Sequence, residues 1–149
     1  MCGISGFYGN SRFSPTREVI KKTILKMKYR GPDGNGYKII KNDLDLVFLH
    51  SRLSIIDPSK SSNQPMIDDN GIIIFNGMIY NYLEIKAEML KKKISFKTKS
   101  DTEVLLKFLN YYGANHLHKL DGMWSFAYYN FKKKKLILSR DRFGEKPLF

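Results

Sequence analysis

Met1-Cys2-Gly3-Ile4-Ser5-Gly6-Phe7 opens the chain and holds its only cysteine, directly behind the initiator methionine. Removal of Met1 leaves one residue with both a thiol and a free α-amine. The thiolate is the nucleophile of cysteine chemistry, and an N-terminal amine can act as its base. The amine's reference pKa of about 7.7–8.0 keeps a useful fraction neutral near pH 7. Cys2 therefore reads as a nucleophile and base in one residue, with no histidine involved. The competing reading is a small hydrophobe in a core, which holds for an arbitrary cysteine. The second position and the Gly3-Ile4-Ser5-Gly6 that follows weigh against it, and the rest of the chain decides.

Outward from this stretch, residues 2–9 read as a strand ending at Gly9-Asn10. Ser14-Pro15 reads as a helix start, with Ser14 as N-cap and Pro15 at the first helical position. Ile20, Ile24 and Met27 recur at helical spacing. Residues 30–36 carry three glycines and a proline, which predicts a shaped loop with unusual backbone angles. Residues 37–40 and 44–49 read as two strands. His50 reads as a packed histidine with no metal site around it. Arg52, among apolar neighbours, is either a snorkelling edge residue or an anion clamp, and the pattern by itself favours the edge residue.

Residues 58–71 form a polar loop containing Asn63-Gln64-Pro65-Met66. The apolar run 72–75 predicts a buried strand that stops at Asn76-Gly77, placing that pair in a connecting loop. Asn81 with Glu84 predicts a helix start, with Leu83, Ala87 and Leu90 as its apolar side. Ser100-Asp101-Thr102-Glu103 reads as a capping box before an apolar helix that Gly113 closes. Asp101 in a first helical turn is favoured by the helix dipole in any case. His116 and His118 fall in a surface helix and carry no chemical signal. Residues 123–130 and 135–140 predict a hairpin around a lysine-rich turn. The chain stops on Phe149 with no polar tail, which reads as a cut or a boundary.

The composition bounds what these pieces can build. The 149 residues suffice for one domain with a real core. An apolar fraction of 42% and an aromatic fraction of 13% belong to a globular chain. No apolar run reaches the length of a membrane span, no secretory signal opens the chain, and one cysteine makes no intrachain disulfide. Together these predict a cytoplasmic protein. The net charge of +12 raises nucleic acid as a partner, but the lysines fall on helix faces and a hairpin turn. No nucleic-acid motif accompanies them, so no nucleic-acid and no membrane partner is expected.

Taken in order, eight stretches carry a resemblance: Cys2-Gly3-Ile4, Arg30-Gly31-Pro32-Asp33-Gly34, Arg52-Leu53-Ser54-Ile55-Ile56-Asp57 and Asn63-Gln64-Pro65-Met66 come first. Asn76-Gly77 with Ile79-Tyr80-Asn81, Ser100-Asp101-Thr102-Glu103, residues 121–127 and Arg140-Asp141-Arg142-Phe143-Gly144 complete the series. Each is weak alone, and their sequential co-occurrence is specific. The chain resembles, nearly end to end, the N-terminal glutaminase domain of asparagine synthetase-type class II glutamine amidotransferases, which are N-terminal nucleophile hydrolases. The resemblance implies an α+β fold, a four-layer αββα sandwich of two antiparallel sheets.

The same resemblance implies roles. Cys2 attacks the side-chain amide of L-glutamine, and its amine shuttles the proton. The Asn76 side chain and the Gly77 N–H hold the oxyanion. Arg52 takes the substrate α-carboxylate and Asp101 its α-ammonium. Leu53, Ser54, Ile55 and Ile56 line the pocket, and the Arg30-Gly31 loop holds the Cys2 amine. No metal or cofactor is implied for residues 1–149; ATP and Mg2+ belong to a C-terminal synthetase domain that this chain lacks, and a homodimer is compatible with the family. One departure stands out. Family members usually carry glutamate after the Asn-Gly pair, where it helps bind the α-ammonium, and this chain has Met78. That residue motivates an alternative, a low-activity amidotransferase-like structural or regulatory module. The net charge motivates a third, a nucleic-acid-binding module. The ammonia acceptor, aspartate by default, is not legible in these residues.

Overall fold

Side-chain alternation along two central strands sets the layering. The structure is a computed structural model describing residues 1–149. One sheet has the order β1-β3-β2, formed by β1 (Gly3–Gly9), β2 (Gly34–Ile40) and β3 (Asp45–Arg52). Both of its pairings are antiparallel. The other has the order β4-β5-β6-β7, formed by β4 (Met66–Ile67), β5 (Gly71–Ile79), β6 (Gly122–Asn130) and β7 (Lys135–Arg140). All of its pairings are antiparallel too. The helices are α1 (Arg17–Met27), α2 (Tyr82–Lys91) and α3 (Asp101–Tyr112).

Successive strand residues point to opposite faces, so each strand feeds two of three apolar interfaces. Val47 and Leu49 of β3 pack under α1 with Ile20. Leu46 and Phe48, the alternate residues, pack between the sheets against Ile72, Ile74, Ala127 and Tyr129. Ile73, Phe75 and Ile79 of β5 join Phe126 and Tyr128 beneath α2 and α3 in the largest cluster, of 15 buried residues. The result is α1, sheet, sheet, then α2 with α3: the four-layer sandwich the resemblance implies.

Several local expectations are corrected. The strand expected at 72–75 runs on through Ile79, because Gly77, Met78 and Ile79 pair with Trp124, Met123 and Gly122. Asn76-Gly77 is therefore inside β5 and not in a loop. The N-cap of α1 is Thr16, whose hydroxyl accepts the Val19 N–H, while Ser14 ends a preceding 3-10 turn. The buried side of α2 is Ile85 and Met89; Leu83 and Leu90 are more than half exposed and Ala87 also faces out. Asn81 does precede α2 but makes no capping bond; its side chain ties Lys119 and Asp121.

The capping box of α3 is half formed. Ser100 accepts the Thr102 N–H, whereas Glu103 turns to Lys97 and Thr98. Residues 34–36 belong to β2 and not to a loop. None of Gly31, Gly34 and Gly36 has positive φ. Gly31 is required by close approach instead: a Cβ there would lie 2.3 Å from the Ser51 carbonyl. The closing hairpin, and Gly113 at φ 75° after α3, stand as read.

Candidate functional site

The site forms where the start of β1, the end of β3, the outer half of β5 and the first turn of α3 meet. They surround a cavity of about 100 Å³ whose walls include Cys2, Arg52, Asn76, Gly77, Met78 and Asp101. Leu53, Ile55 and Ile56 line it as well, with Met1 beside them. Ser54 does not line it; its N–H donates to Asp33 Oδ2 at 2.7 Å, which fixes the turn of the loop. Arg30 and Gly31 do not line the cavity. Arg30 Nε donates to the Cys2 carbonyl oxygen at 3.2 Å, so it reaches the nucleophile's backbone through oxygen and not through nitrogen.

The antiparallel pairing of Gly3 with Ser51 brings Cys2 beside the chain leaving β3. The Leu53 N–H donates to Cys2 Sγ at 3.3 Å, and the thiol faces the Leu53 carbonyl at 3.7 Å. Burial pushes the thiol pKa up, and the Leu53 N–H works against that. His50 is fully buried on the same strand, and neither of its ring nitrogens has a partner. Burial holds its pKa down to about 4, so the imidazole is neutral and packed, as its sequence context suggests.

The edge of β5 supplies the donors. N–H groups of alternate residues point to the same edge of a strand, here the edge that β4 covers only as far as Ile73. Beyond that point side chains take over. The Phe75 N–H donates to Gln64 Oε1 at 2.6 Å, and the Ile79 N–H donates to Asp101 Oδ2 at 3.2 Å. The Gly77 N–H lies on this open edge between the two, with no strand opposite. A Cβ at position 77 would lie 2.1 Å from the Met123 carbonyl oxygen and 2.8 Å from Trp124 Cα. Only glycine lets β5 and β6 close here.

Arg52 is not an edge residue, for β3 is the centre of its sheet and Arg52 is 8% exposed. Its Nη1 donates to the Ser59 carbonyl at 2.9 Å and to Asn63 Oδ1 at 2.6 Å, and its Nη2 to the Asp57 carbonyl. Three of the guanidinium's five N–H donors thus fix its plane, and two are left for an anion. Asp101, buried at the first position of α3, has its pKa raised to about 6 by burial, with the Ile79 and Thr102 N–H groups opposing. It has no cation partner among the ion pairs. Together the pocket offers a thiol, an open N–H edge, a fixed guanidinium and a buried carboxylate. No group of three or more His, Cys, Asp or Glu side chains could hold a metal ion.

The supports of these groups are what the sequence reading leaves out. Asn63 and Gln64 sit in a stretch that carries the resemblance but receives no role there; the structure gives them Arg52 and Phe75. Asp57 ties the same loop to α3's approach, accepting from Ser59, Ser62 Oγ and the Lys99 N–H. Those donors hold its pKa well below the usual carboxylate range. Asp141 accepts four backbone N–H groups, from Trp124, Phe143, Glu145 and Lys146. They hold its pKa near 2, and the turn they fix carries Lys146 into the pocket wall.

Comparison with known proteins gives a consistent result. The family described as a glutamine amidotransferase domain matches residues 1–149. A putative glutamine-hydrolyzing asparagine synthetase 2 of Methanocaldococcus jannaschii is 38% identical over 170 residues, covering 100% of this chain and 32% of that protein. Glutamine-hydrolyzing asparagine synthetase 1 of Bacillus subtilis is 40% identical over 154 residues, covering 100% of this chain and 24% of that protein. A protein of Gibberella zeae named amidase chry2 is 34% identical, again with 100% and 24% covered. The chain thus spans a third or less of the length of these relatives. No helix is long and apolar enough to cross a membrane.

Proposed function

The chain belongs to the glutamine amidotransferase domain family, and on that footing we propose that it hydrolyses L-glutamine to L-glutamate and ammonia through Cys2. The observation that carries this reading is one pocket whose lining brings Cys2 together with Arg52, Asp101 and the outer half of β5 at Asn76 and Gly77. The Arg52 fork takes the α-carboxylate and Asp101 the α-ammonium, which leaves the side-chain amide at the thiol. Binding of an ammonium supplies the charge partner that the buried Asp101 lacks.

The chemistry runs in two balanced halves. The Cys2 α-amine takes the thiol proton as Sγ bonds to the amide carbon. The oxyanion is held by the Gly77 N–H and the Asn76 carboxamide, a pair of donors in the manner of an oxyanion hole. The C–N bond then breaks, and the amine's proton leaves with the nitrogen as ammonia. Water next adds to the thioester, giving its proton to the amine. The C–S bond breaks, the thiolate recovers that proton, and glutamate departs.

The ammonia would feed an ATP-dependent amidation, aspartate to asparagine, in a synthetase region outside these 149 residues. The names of the longer relatives support that acceptor. A cytoplasmic setting fits a lone free thiol. Met78 supports a second reading, a low-activity module of the same family.

The test is the N-terminus. With Met1 attached, the Cys2 nitrogen is a peptide nitrogen and no base. Protein shown by intact mass to keep Met1 is expected to release no ammonia from glutamine, and the processed form to release it. Equal rates would place the base elsewhere. Inactivity of a verified processed form would favour the low-activity module.

A further inference from the structure

Lys146 is a buried lysine, 6% exposed, in the wall of the nucleophile pocket. It forms none of the chain's ion pairs, and its only hydrogen bond is from its backbone N–H, to Asp141. Its Nζ is not among the fully enclosed polar atoms that lack a partner, so the stem is what is buried while the ammonium keeps an opening, and in a pocket wall such an opening suits an incoming anion.

The pocket's charges can be matched one by one. Two cationic side chains line it, Arg52 and Lys146, with two anionic ones, Asp57 and Asp101; the chain's terminal amine also opens on it, and in the glutaminase reading that amine is the neutral base. Asp57 is satisfied by Ser59, Ser62 and the Lys99 N–H. A glutamine zwitterion would engage Arg52 with its carboxylate and Asp101 with its ammonium. Its remaining polar group, the carboxamide, is neutral. Hydrolysis breaks the C–N bond, forms a C–O bond from water and releases ammonia, so the same end of the molecule becomes a carboxylate. Substrate leaves Lys146 unmatched and product matches it.

We propose that Lys146 is the pocket's receptor for the negative charge that hydrolysis creates, holding L-glutamate by a contact that L-glutamine does not make. This rests on the glutaminase reading and extends it to product. The Asp141 turn, with four N–H groups on one carboxylate, is the positioning device, because it fixes the backbone from which Lys146 projects.

The test is binding calorimetry with L-glutamine and L-glutamate on protein carrying Cys2→Ala to stop turnover. Lys146→Met is expected to weaken glutamate binding 10- to 100-fold, the range of a hydrogen bond to a charged group, and to change glutamine binding less than about threefold. Lys146→Arg, which keeps the charge, should preserve the glutamate preference. Lys146→Gln should lose it, and it serves if the methionine variant does not fold. An unchanged ratio of the two affinities, or equal loss of both, would overturn the proposal. If neither amino acid binds when Lys146 is intact, the glutaminase reading itself fails, which is a different result from a failure confined to Lys146.

Discussion

Met78 is where, by the resemblance, this chain departs from the expected pattern, and its position makes the proposed consequence measurable. It follows Gly77 on β5 and lines the pocket together with Asp101. Where the resemblance implies a second carboxylate for the substrate ammonium, a thioether offers the proposed glutamine only packing against its aliphatic part. A charge-assisted hydrogen bond contributes about 1.5–3 kcal/mol, or roughly 10- to 100-fold in affinity. Solvent at the pocket mouth moves the effect to the lower end. Met78→Glu should therefore lower KM for glutamine several-fold and leave kcat nearly unchanged, because the contact is remote from the reacting carbon. Steady-state ammonia release at varied glutamine decides it. An unchanged KM would mean that Asp101 alone already satisfies the ammonium.

Among the elements, β5 carries the site and was also the hardest to read. Asn76-Gly77 is locally a turn signal, yet the ladder to β6, which pairs Asn76 with Ser125 and Gly77 with Trp124, runs straight through it. The same holds for α2, where Leu83, Ala87 and Leu90 and the pair Ile85 and Met89 both fit helical spacing. Which face is buried is set by the sheet below, not by the helix sequence. Signals that are local and self-sufficient read correctly: Gly113 after α3, the hairpin of β6 and β7. The fixed guanidinium of Arg52 was not legible in the strand pattern, since its partners Ser59 and Asn63 lie in a loop that the pattern does not describe.

Gln64 shows what that loop does for β5. Its carboxamide accepts the Phe75 N–H and donates to the Phe75 carbonyl and to Thr102 Oγ1, standing in for the strand that β4 no longer provides. Gln64→Leu leaves two buried backbone groups unpaired, at about 1–3 kcal/mol each. The urea midpoint should fall accordingly. Because Asn76 and Gly77 follow directly, kcat should fall more than glutamine affinity. A variant with an unchanged midpoint and unchanged kcat would show the brace to be dispensable.

At the scale of the molecule, two buried groups in different layers pull stability in opposite directions with pH. His50, on β3, has its pKa lowered from 6.5 to about 4 by burial. Between those values the unfolded chain binds a proton that the native one does not, so its contribution to stability is lost as pH falls. Asp101, at the start of α3, has its pKa raised from 3.8 to about 6 by burial. Its contribution is fully present below 3.8 and is lost as pH rises through 6. Over about pH 4 to 6 the two slopes nearly cancel, each shift corresponding to about 3 kcal/mol at 1.36 kcal/mol per pKa unit. Asp101→Asn keeps an acceptor for the Ile79 N–H and removes one of the two slopes. Urea unfolding across pH 4 to 7.5 should then give a shallow curve for the parent chain. The variant should match it near pH 4 and climb above it by up to about 3 kcal/mol by pH 7. Self-repulsion from the net charge of +12 grows in acid for both proteins alike and does not alter the difference between them. Parallel curves would mean that Asp101 is ionised in the native protein throughout. The pocket would then hold a standing carboxylate that needs no incoming ammonium to charge it.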